Sequence, residues 1–396
     1  MFRMRVTQSM LTNSSLRNLS QSYQGLHRLQ DQLATGKKIS RASQDPVVAM
    51  NGMRYRTQVT EMAQFNRNLS EVYNWMDSGD SALDNVTSAL HRIRELTVQA
   101  SNDTYEASQR GNMAKEIRQL REHLESLGNM QANNKYIFNG TNTTNAPLDP
   151  SLMDVGIEAM SGGLMALPDG EFEAGEFTHV ITHSSGRYEL AEKNGNEFLF
   201  RDVTNGGKSI TLTLNENGEQ ESLVHSHTRV NGAGETVTET KDLRESQVVV
   251  FHRNAVSTNT QNVEIELLKG VTVPVNIQPG NVFSMDFFGD LIQLEKALED
   301  PSTRASDLTA FIGNIDQQVE KVVNERAELG ARYNRVEMID FRIQEQEVIA
   351  RRILSDNEDA DIAKVISDLL ASENVHRAAL SSMARIMQPT LMDFLR

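Results

Sequence analysis

Four histidines stand at spacings that a metal site could use. His179 and His183 are four residues apart, but the segment Thr-His-Val-Ile-Thr-His is strand-like and lacks the glutamate of the helical zinc-protease motif. His225 and His227 would share one face of a strand, because side chains alternate along a strand. Neither pair has a third ligand within reach in the sequence. We therefore interpret both pairs as ordinary surface histidines and expect no metal site.

Other chemical motifs are incomplete in the same way. The pairs Gly162-Gly163 and Gly206-Gly207 are not followed by the Lys-Ser/Thr of a phosphate-binding loop, so we interpret them as turns. The acidic run 356–361 lacks the central glycine and final glutamate of a calcium loop, which favours a helix N-terminus. Cysteine is absent, which excludes disulfides, thiolate metal sites and cysteine nucleophiles. We expect no enzymatic activity and no cofactor.

Charge divides the chain into three parts. Residues 1–140 carry 17 basic and 13 acidic side chains, residues 141–300 carry 10 and 25, and residues 301–396 carry 12 and 16. The excess behind the net charge of −15 therefore lies in the middle, which also holds 15 of the 24 glycines. The acidic balance argues against nucleic-acid binding. The chain also lacks a run of about 18 apolar residues, which argues against a membrane span.

The middle part has the pattern of short strands. Its β-branched and aromatic runs are separated by turn pairs such as Asn205-Gly206 and Asn217-Gly218. Leu291, Leu294 and Leu298 indicate a short helix before Pro301. The predicted strands are 177–182, 198–200, 209–214, 248–251, 263–267, 271–277 and 282–287.

Both ends of the chain are helical by periodicity. Alternating steps of three and four residues from Met62 to Ala100 land mostly on large apolar side chains, and Asp45-Pro46 is a sound N-terminal cap for that helix. The same rhythm recurs over 113–127 and 308–336. These segments predict an antiparallel helical bundle that joins the two ends.

The extreme termini show a second heptad pattern. Gly36 is placed to end the N-terminal helix. A single helix of about 25 residues is marginal in water, so we expect the two terminal helices to need each other and neighbouring molecules. The predicted interface positions are Leu16, Leu19, Tyr23, Leu26, Leu33, Ile362, Ile366, Leu369, Leu380, Met383 and Met387.

Together these patterns predict an α+β chain of five segments. An N-terminal coiled-coil arm spans 1–44, and a C-terminal arm spans 356–396. Residues 45–140 and 301–355 form the two parts of the helical bundle, and 141–300 form an inserted, outward-facing, mainly-β domain.

Several separated motifs resemble the flagellin family. At the N-terminus these are the segments MRVTQSM (4–10), SSLRNL (14–19) and LATGKKISRASQDP (33–46), and at the C-terminus EDAD (358–361) and LMDFLR (391–396). Within this family QDPV (44–47), AMNGM (49–53) and YIFNGT (136–141) resemble the hook-associated protein 3 group more than flagellin itself.

The resemblance implies a structural adaptor at the hook–filament junction of the bacterial flagellum. Its implied partners are the first hook–filament junction protein, flagellin, further copies of itself in a ring or short helical layer, an export chaperone and the type III export apparatus. The first 15 residues contain no apolar signal-peptide core, which fits extracellular export without a cleaved signal.

Two alternatives stay open on the sequence. The chain could be flagellin itself, which would polymerise without limit. It could also be a flagellin-like scaffold that carries an adhesive or enzymatic insert.

Overall fold

The computed structural model describes residues 8–102, 106–230 and 236–387. The chain divides into two compact units at residues 67/68 and 339/340. We call the unit that contains both chain ends the terminal unit, and residues 68–339 the middle unit. Terminal helical regions flank a central β-sheet, so the predicted α+β architecture is confirmed.

The described residues form eight α-helices, of which the longest two begin near residues 46 and 305. The helices are α1 (Gln8–Thr35), α2 (Pro46–Ala100), α3 (Ala107–Gly128), α4 (Gly156–Ala166), α5 (Pro279–Val282), α6 (Met285–Glu299), α7 (Ala305–Glu358) and α8 (Ile362–Met387).

Twelve strands are described, all between α3 and α5. They are β1 (Gln131–Ala132), β2 (Lys135–Tyr136), β3 (Gly170–Glu171), β4 (His179–His183), β5 (Gly186–Asn194), β6 (Glu197–Asp202), β7 (Lys208–Leu214), β8 (Gln220–Val230), β9 (Thr236–Asp242), β10 (Val249–His252), β11 (Glu264–Leu268) and β12 (Val271–Pro274).

In the middle unit, α2 and α7 run antiparallel. Arg326 on α7 pairs with Asp80 and Asp84 on α2, while Arg94 on α2 pairs with Asp316 nearer the start of α7. Exposed ion pairs add little stability, so burial of the apolar seam provides most of it. That predicted seam is confirmed by seven fully or nearly fully buried side chains on α2: Leu69, Val72, Met76, Leu83, Val86, Leu90 and Ile93.

The principal sheet is antiparallel throughout. Its strands lie in the order β10-β4-β5-β6-β7-β8-β9, and β3 pairs with β5 outside this path. One face forms a core with α4, in which Phe198, Phe200 and Ile210 pack with Met160 and Leu164. Two small sheets, β1-β2 and β11-β12, complete the strand content of the described residues.

Two predictions for the middle unit are wrong. Residues 282–287 are the end of α5 and the start of α6, where Ser284 Oγ accepts the Phe287 N–H at 3.2 Å and caps α6. The apolar run of that segment is strand-like, but it supplies the buried face of a helix. Gly162 and Gly163 lie inside α4 rather than in a turn. In addition, the sequence analysis did not predict β1, β2, β3, β5, β8 and β9.

Candidate assembly interface of the terminal helices

The terminal unit is built on the pairing of α1 with α8. The end of α1 meets the start of α8, because the Ala360 N–H donates to the Gly36 carbonyl oxygen at 2.8 Å. Further along, the rings of Tyr23 and His376 lie 6.1 Å apart between centroids. The two helices therefore run antiparallel.

Part of the predicted apolar set lies on the face where α1 and α8 meet. Met383 is buried, whereas Leu19, Leu26 and Leu369 are only half-buried. Val365, which the sequence analysis did not select, is buried on α8 as well. The helix pair thus closes only a thin apolar seam by itself.

The other part of the set is exposed. Leu16, Tyr23 and Leu33 on α1 retain 48%, 61% and 38% of their accessible surface. On α8, Ile362, Ile366 and Leu380 retain 41%, 43% and 46%. Met387 ends α8, and its side chain lies outside the described residues. A soluble chain seldom leaves a series of large apolar side chains in water unless they mark an interaction site.

Further exposed apolar residues lie elsewhere in the terminal unit. Sequence reasoning missed them because it followed a single seam along each helix. Phe341 and Val348, one heptad apart on α7, are among the most exposed apolar side chains of the chain, and their spacing was the available signal. The other missed positions are Met10, Val47, Met50, Met53, Ile349, Ile353, Leu370 and Val375.

The two connecting segments of the terminal unit bond to each other. Gly36 ends α1 with a φ of +68°, a conformation that glycine adopts without strain. Lys37 then pairs with Asp359 in an isolated antiparallel bridge, and the Lys38 N–H donates to the Glu358 carbonyl oxygen at 2.6 Å. This backbone pairing fixes the exits of α1 and α7 relative to each other. We call residues 36–38 with 358–360 the clasp.

Charged side chains reinforce the clasp. Lys37 Nζ lies 2.6 Å from Asp359 Oδ1, and Arg56 Nε lies 2.8 Å from Glu358 Oε1. Glu358 is almost fully buried, and a Cβ at Gly52 would lie only 2.6 Å from Glu358 Oε1. Glycine at position 52 therefore makes room for a buried carboxylate beside its arginine partner.

Proton affinities in the clasp follow from these contacts. The hydrogen bond from Lys37 holds the pKa of Asp359 below its usual value, with a further contribution from Ser355. The same contact with Asp359 raises the pKa of Lys37. Both shifts favour the charged pair at neutral pH.

The acidic run 356–361 spans two helix ends rather than one. Asp361 does cap a helix, since the Lys364 N–H donates to its Oδ1 at 3.1 Å at the start of α8. Asp356, Asn357 and Glu358, however, form the last turn of α7. The single N-terminus that we predicted is therefore wrong for these three residues, and the basic groups of the clasp offset their unfavourable position near a helix C-terminus.

The histidines that are close in the sequence are not the ones that lie next to each other in the structure. His179 lies 5.2 Å from His252, and His183 lies 5.4 Å from His225, both measured between ring centroids. Within the described ranges, no three His, Asp or Glu side chains are grouped so as to hold a metal ion. We also find, in the same ranges, no helix with the length and apolar character needed to cross a membrane.

Comparison with known proteins identifies the class. The family model for the bacterial flagellin N-terminal helical region matches residues 6–143, and the model for the flagellin C-terminal helical region matches residues 312–395. Together the two regions cover more than half of the chain. The chain belongs to the flagellin superfamily.

Individual relatives include both flagellins and hook-associated protein 3, the two groups that the sequence motifs resemble. Flagellin of Clostridium tyrobutyricum is 21% identical over 379 residues, which cover 91% of this chain and 98% of that protein. Flagellar hook-associated protein 3 of Escherichia coli K12 is 28% identical over 145 residues, which cover 36% of this chain and 46% of that protein. The resemblance to hook-associated protein 3 is therefore confirmed.

A solved structure shares the fold. It is that of a flagellar hook-associated protein from Vibrio parahaemolyticus, with a TM-score of 0.50 and 17% identity. The match covers 80% of this chain and all of that one. The chain is thus a structural component of the bacterial flagellum.

Proposed function

We propose that this protein is the adaptor that joins the hook-side junction protein to the flagellin filament. The observation that carries the proposal is the outward apolar surface of the paired α1 and α8. Leu16, Tyr23, Ile366 and Leu380 are exposed although their helices are already paired. Such a surface gains free energy only when neighbouring subunits cover it.

The free energy available from each exposed side chain is small, so assembly would depend on many such contacts. Full burial of a large apolar side chain contributes about 1.5–3 kcal/mol, so an exposed side chain that retains roughly half of its accessible surface gains about 1 kcal/mol when it is covered. Six such positions on α1 and α8, with those on α2 and α7 in addition, would stabilise each subunit in the layer by several kcal/mol. A ring or short helical layer of copies supplies such neighbours on both sides.

The same proposal covers the partners and the route. The terminal helices contact the first junction protein on the hook side and flagellin on the filament side. Before assembly, the chain leaves the cell through the flagellar type III apparatus with the help of an export chaperone. It acts outside the cell, and its role is mechanical rather than catalytic.

A gene deletion scored by electron microscopy tests this adaptor role. The expected phenotype is intact hooks without filaments, with flagellin lost into the medium. Complete filaments on the hooks of the deletion strain would contradict the adaptor role.

Flagellin is the second candidate, because the alignment with a flagellin covers nearly the whole chain. The two candidates differ in polymerisation. Flagellin would extend a filament without limit when added to hooks, whereas an adaptor would add a short layer and stop. Electron microscopy of hooks incubated with purified protein distinguishes the two outcomes.

A further inference from the structure

A cleft in the middle unit is separate from the terminal helices. It lies where the end of β4, the segment after β9, α6 and the start of α7 converge, and its volume is about 130 Å³. That volume holds about four water molecules. Because the cleft is also open to solvent, a ligand larger than this enclosed volume can enter it with part of its surface exposed.

One wall of the cleft is held rigidly by buried polar groups. Ser184 and Ser185 form the β4–β5 turn with φ values of +47° and +57°. Their backbone N–H groups donate to Gln293 Oε1 at 3.2 Å and to Asp290 Oδ1 at 2.9 Å, respectively. Asp290 is buried and also accepts a hydrogen bond from Gln318 on α7 at 2.8 Å. The wall around Ser184 is thus formed before any ligand arrives.

The lining of the cleft is electrically balanced. Arg244 and Asp300 already form an ion pair of 2.7 Å. Lys241 and Asp307 also line the cleft, and neither forms an ion pair with any described residue. His183 adds no charge at neutral pH, because burial lowers its pKa to about 4.

Donors and acceptors are mixed around the cleft. Gln247 accepts the Arg244 N–H through Oε1, which leaves its amide N–H groups as donors. Asn314 donates to Asp290 through Nδ2, which leaves its Oδ1 as an acceptor. His183 donates to the Gln247 carbonyl oxygen through Nδ1, so its Nε2 accepts. The ring of Phe311 provides an apolar wall on α7.

We propose that this cleft binds one unit of a neutral polyhydroxylated ligand, that is, a sugar residue. Sugar hydroxyls both donate and accept hydrogen bonds, which matches the mixed lining of the cleft. The apolar C–H face of a sugar ring packs on an aromatic ring such as that of Phe311. An anion would be attracted by Lys241 but repelled by Asp307, and a cation the reverse. The two electrostatic energies cancel, so a ligand with a net charge of either sign is not favoured. This inference does not rest on the junction role, and it gives the middle unit a binding function of its own.

Ligand-observed NMR on the whole chain tests the proposal with glucose, galactose and N-acetylglucosamine, each offered separately. A few hydrogen bonds and one aromatic contact support a dissociation constant of about 1–10 mM for at least one of these sugars. The imidazole proton resonances of His183 should shift with the same titration, whereas those of His27 on α1 should not. Phosphate and glycine serve as anionic and zwitterionic probes.

Matched variants locate the bound sugar. Asp307→Asn and Lys241→Gln should each weaken sugar binding about tenfold, since each removes a charge-assisted hydrogen bond. Glu320→Gln, farther along α7, and Lys269→Gln, beyond β11, remove the same charges elsewhere and should leave binding unchanged.

Three results would overturn the proposal. The first is that none of the three sugars gives saturation transfer or shifts the His183 resonances. The second is that phosphate or glycine binds instead of a sugar, and the third is that both cleft variants still bind the sugar. Because the His183 shift is read on the unaltered protein, a variant that fails to fold does not decide the test.

Discussion

The terminal and middle units differ most in what they bury. The middle unit buries many large apolar side chains, among them Trp75, Leu83 and Phe200. The described part of the terminal unit buries only three hydrophobic side chains, namely Ile343, Val365 and Met383. Most of its large apolar side chains are half-buried or exposed.

This difference separates folding from assembly. Burial of apolar surface is the main favourable term in folding, so the middle unit can be stable as a single chain. The terminal unit has much less of this term, and in the proposed adaptor role its helices complete their burial against neighbouring subunits. The four predictions below test this contrast, beginning with the largest effect.

The double variant Ile366→Asp/Leu380→Asp should lose binding to isolated hooks by at least about a hundredfold. Each substitution replaces a contact of about 1–2 kcal/mol with a charge that the interface would have to desolvate. Co-sedimentation with hooks that carry the first junction protein measures the loss. Val203→Asp is the matched control, because the exposure of Val203, 47%, is close to the 43% of Ile366 and the 46% of Leu380, but Val203 lies in the middle unit. Equal losses in both proteins would remove the contrast between the units.

Truncation of a leucine should distinguish the two units in stability. Leu83→Ala in the middle unit should lower the free energy of unfolding by about 2–5 kcal/mol, because Leu83 is fully buried. Leu16→Ala in the terminal unit should change it by no more than about 0.5 kcal/mol, because Leu16 is exposed. Urea unfolding followed by far-UV circular dichroism, which reports the helices of both units, gives both values. A large effect at Leu16 would show that α1 has a core of its own.

Acid should weaken the middle unit through His183. Its folded pKa of about 4 lies below the unfolded value of about 6.5, so the unfolded chain binds the proton first as the pH falls. Stability is therefore fully present above about pH 6.5 and declines towards pH 4, by up to about 3 kcal/mol. The difference in urea unfolding between the wild type and His183→Gln isolates this contribution. A difference that does not change with pH would contradict the burial of a neutral imidazole.

The clasp should produce the smallest effect. Lys37→Met removes the ion pair with Asp359, and such partly exposed pairs contribute no more than about 1 kcal/mol. Hydrogen exchange at the Lys38 and Ala360 amides should become up to about fivefold faster, because both amides bond across the clasp. Lys364→Met, on α8 beyond the clasp, should leave these rates unchanged. Unaltered exchange in Lys37→Met would show that the backbone pairing holds without the ion pair.

Periodicity predicted the helices because a heptad seam is a local property of the sequence. The seam on α2 is buried at the predicted positions, and Asp45 caps this helix through its Oδ1, which accepts the Val47 N–H at 3.0 Å. Several strands were also located, since β6, β7 and β10 overlap the predicted segments. Local propensity was sufficient for these elements.

Other features depend on contacts between distant residues. The clasp joins Lys37 to Asp359, and the cleft joins His183 to residues of α6 and α7, none of which share a local pattern. Four predicted interface positions are half-buried or buried, namely Leu19, Leu26, Leu369 and Met383. The sequence could not separate them from the six exposed positions, because both groups follow the same heptad pattern. For this reason Leu26→Asp is a poor test of assembly, since Leu26 also packs within the α1–α8 pair, whereas Leu380 is exposed.

Complementation of the deletion strain with Leu380→Asp, scored by electron microscopy of hooks, tests the proposed assembly surface most directly. We expect bare hooks and secreted flagellin, although the variant protein is exported and its middle unit is folded. Val203→Asp should restore filaments in the same strain. Normal filaments with Leu380→Asp would show that the exposed face of the terminal helices is not the assembly surface.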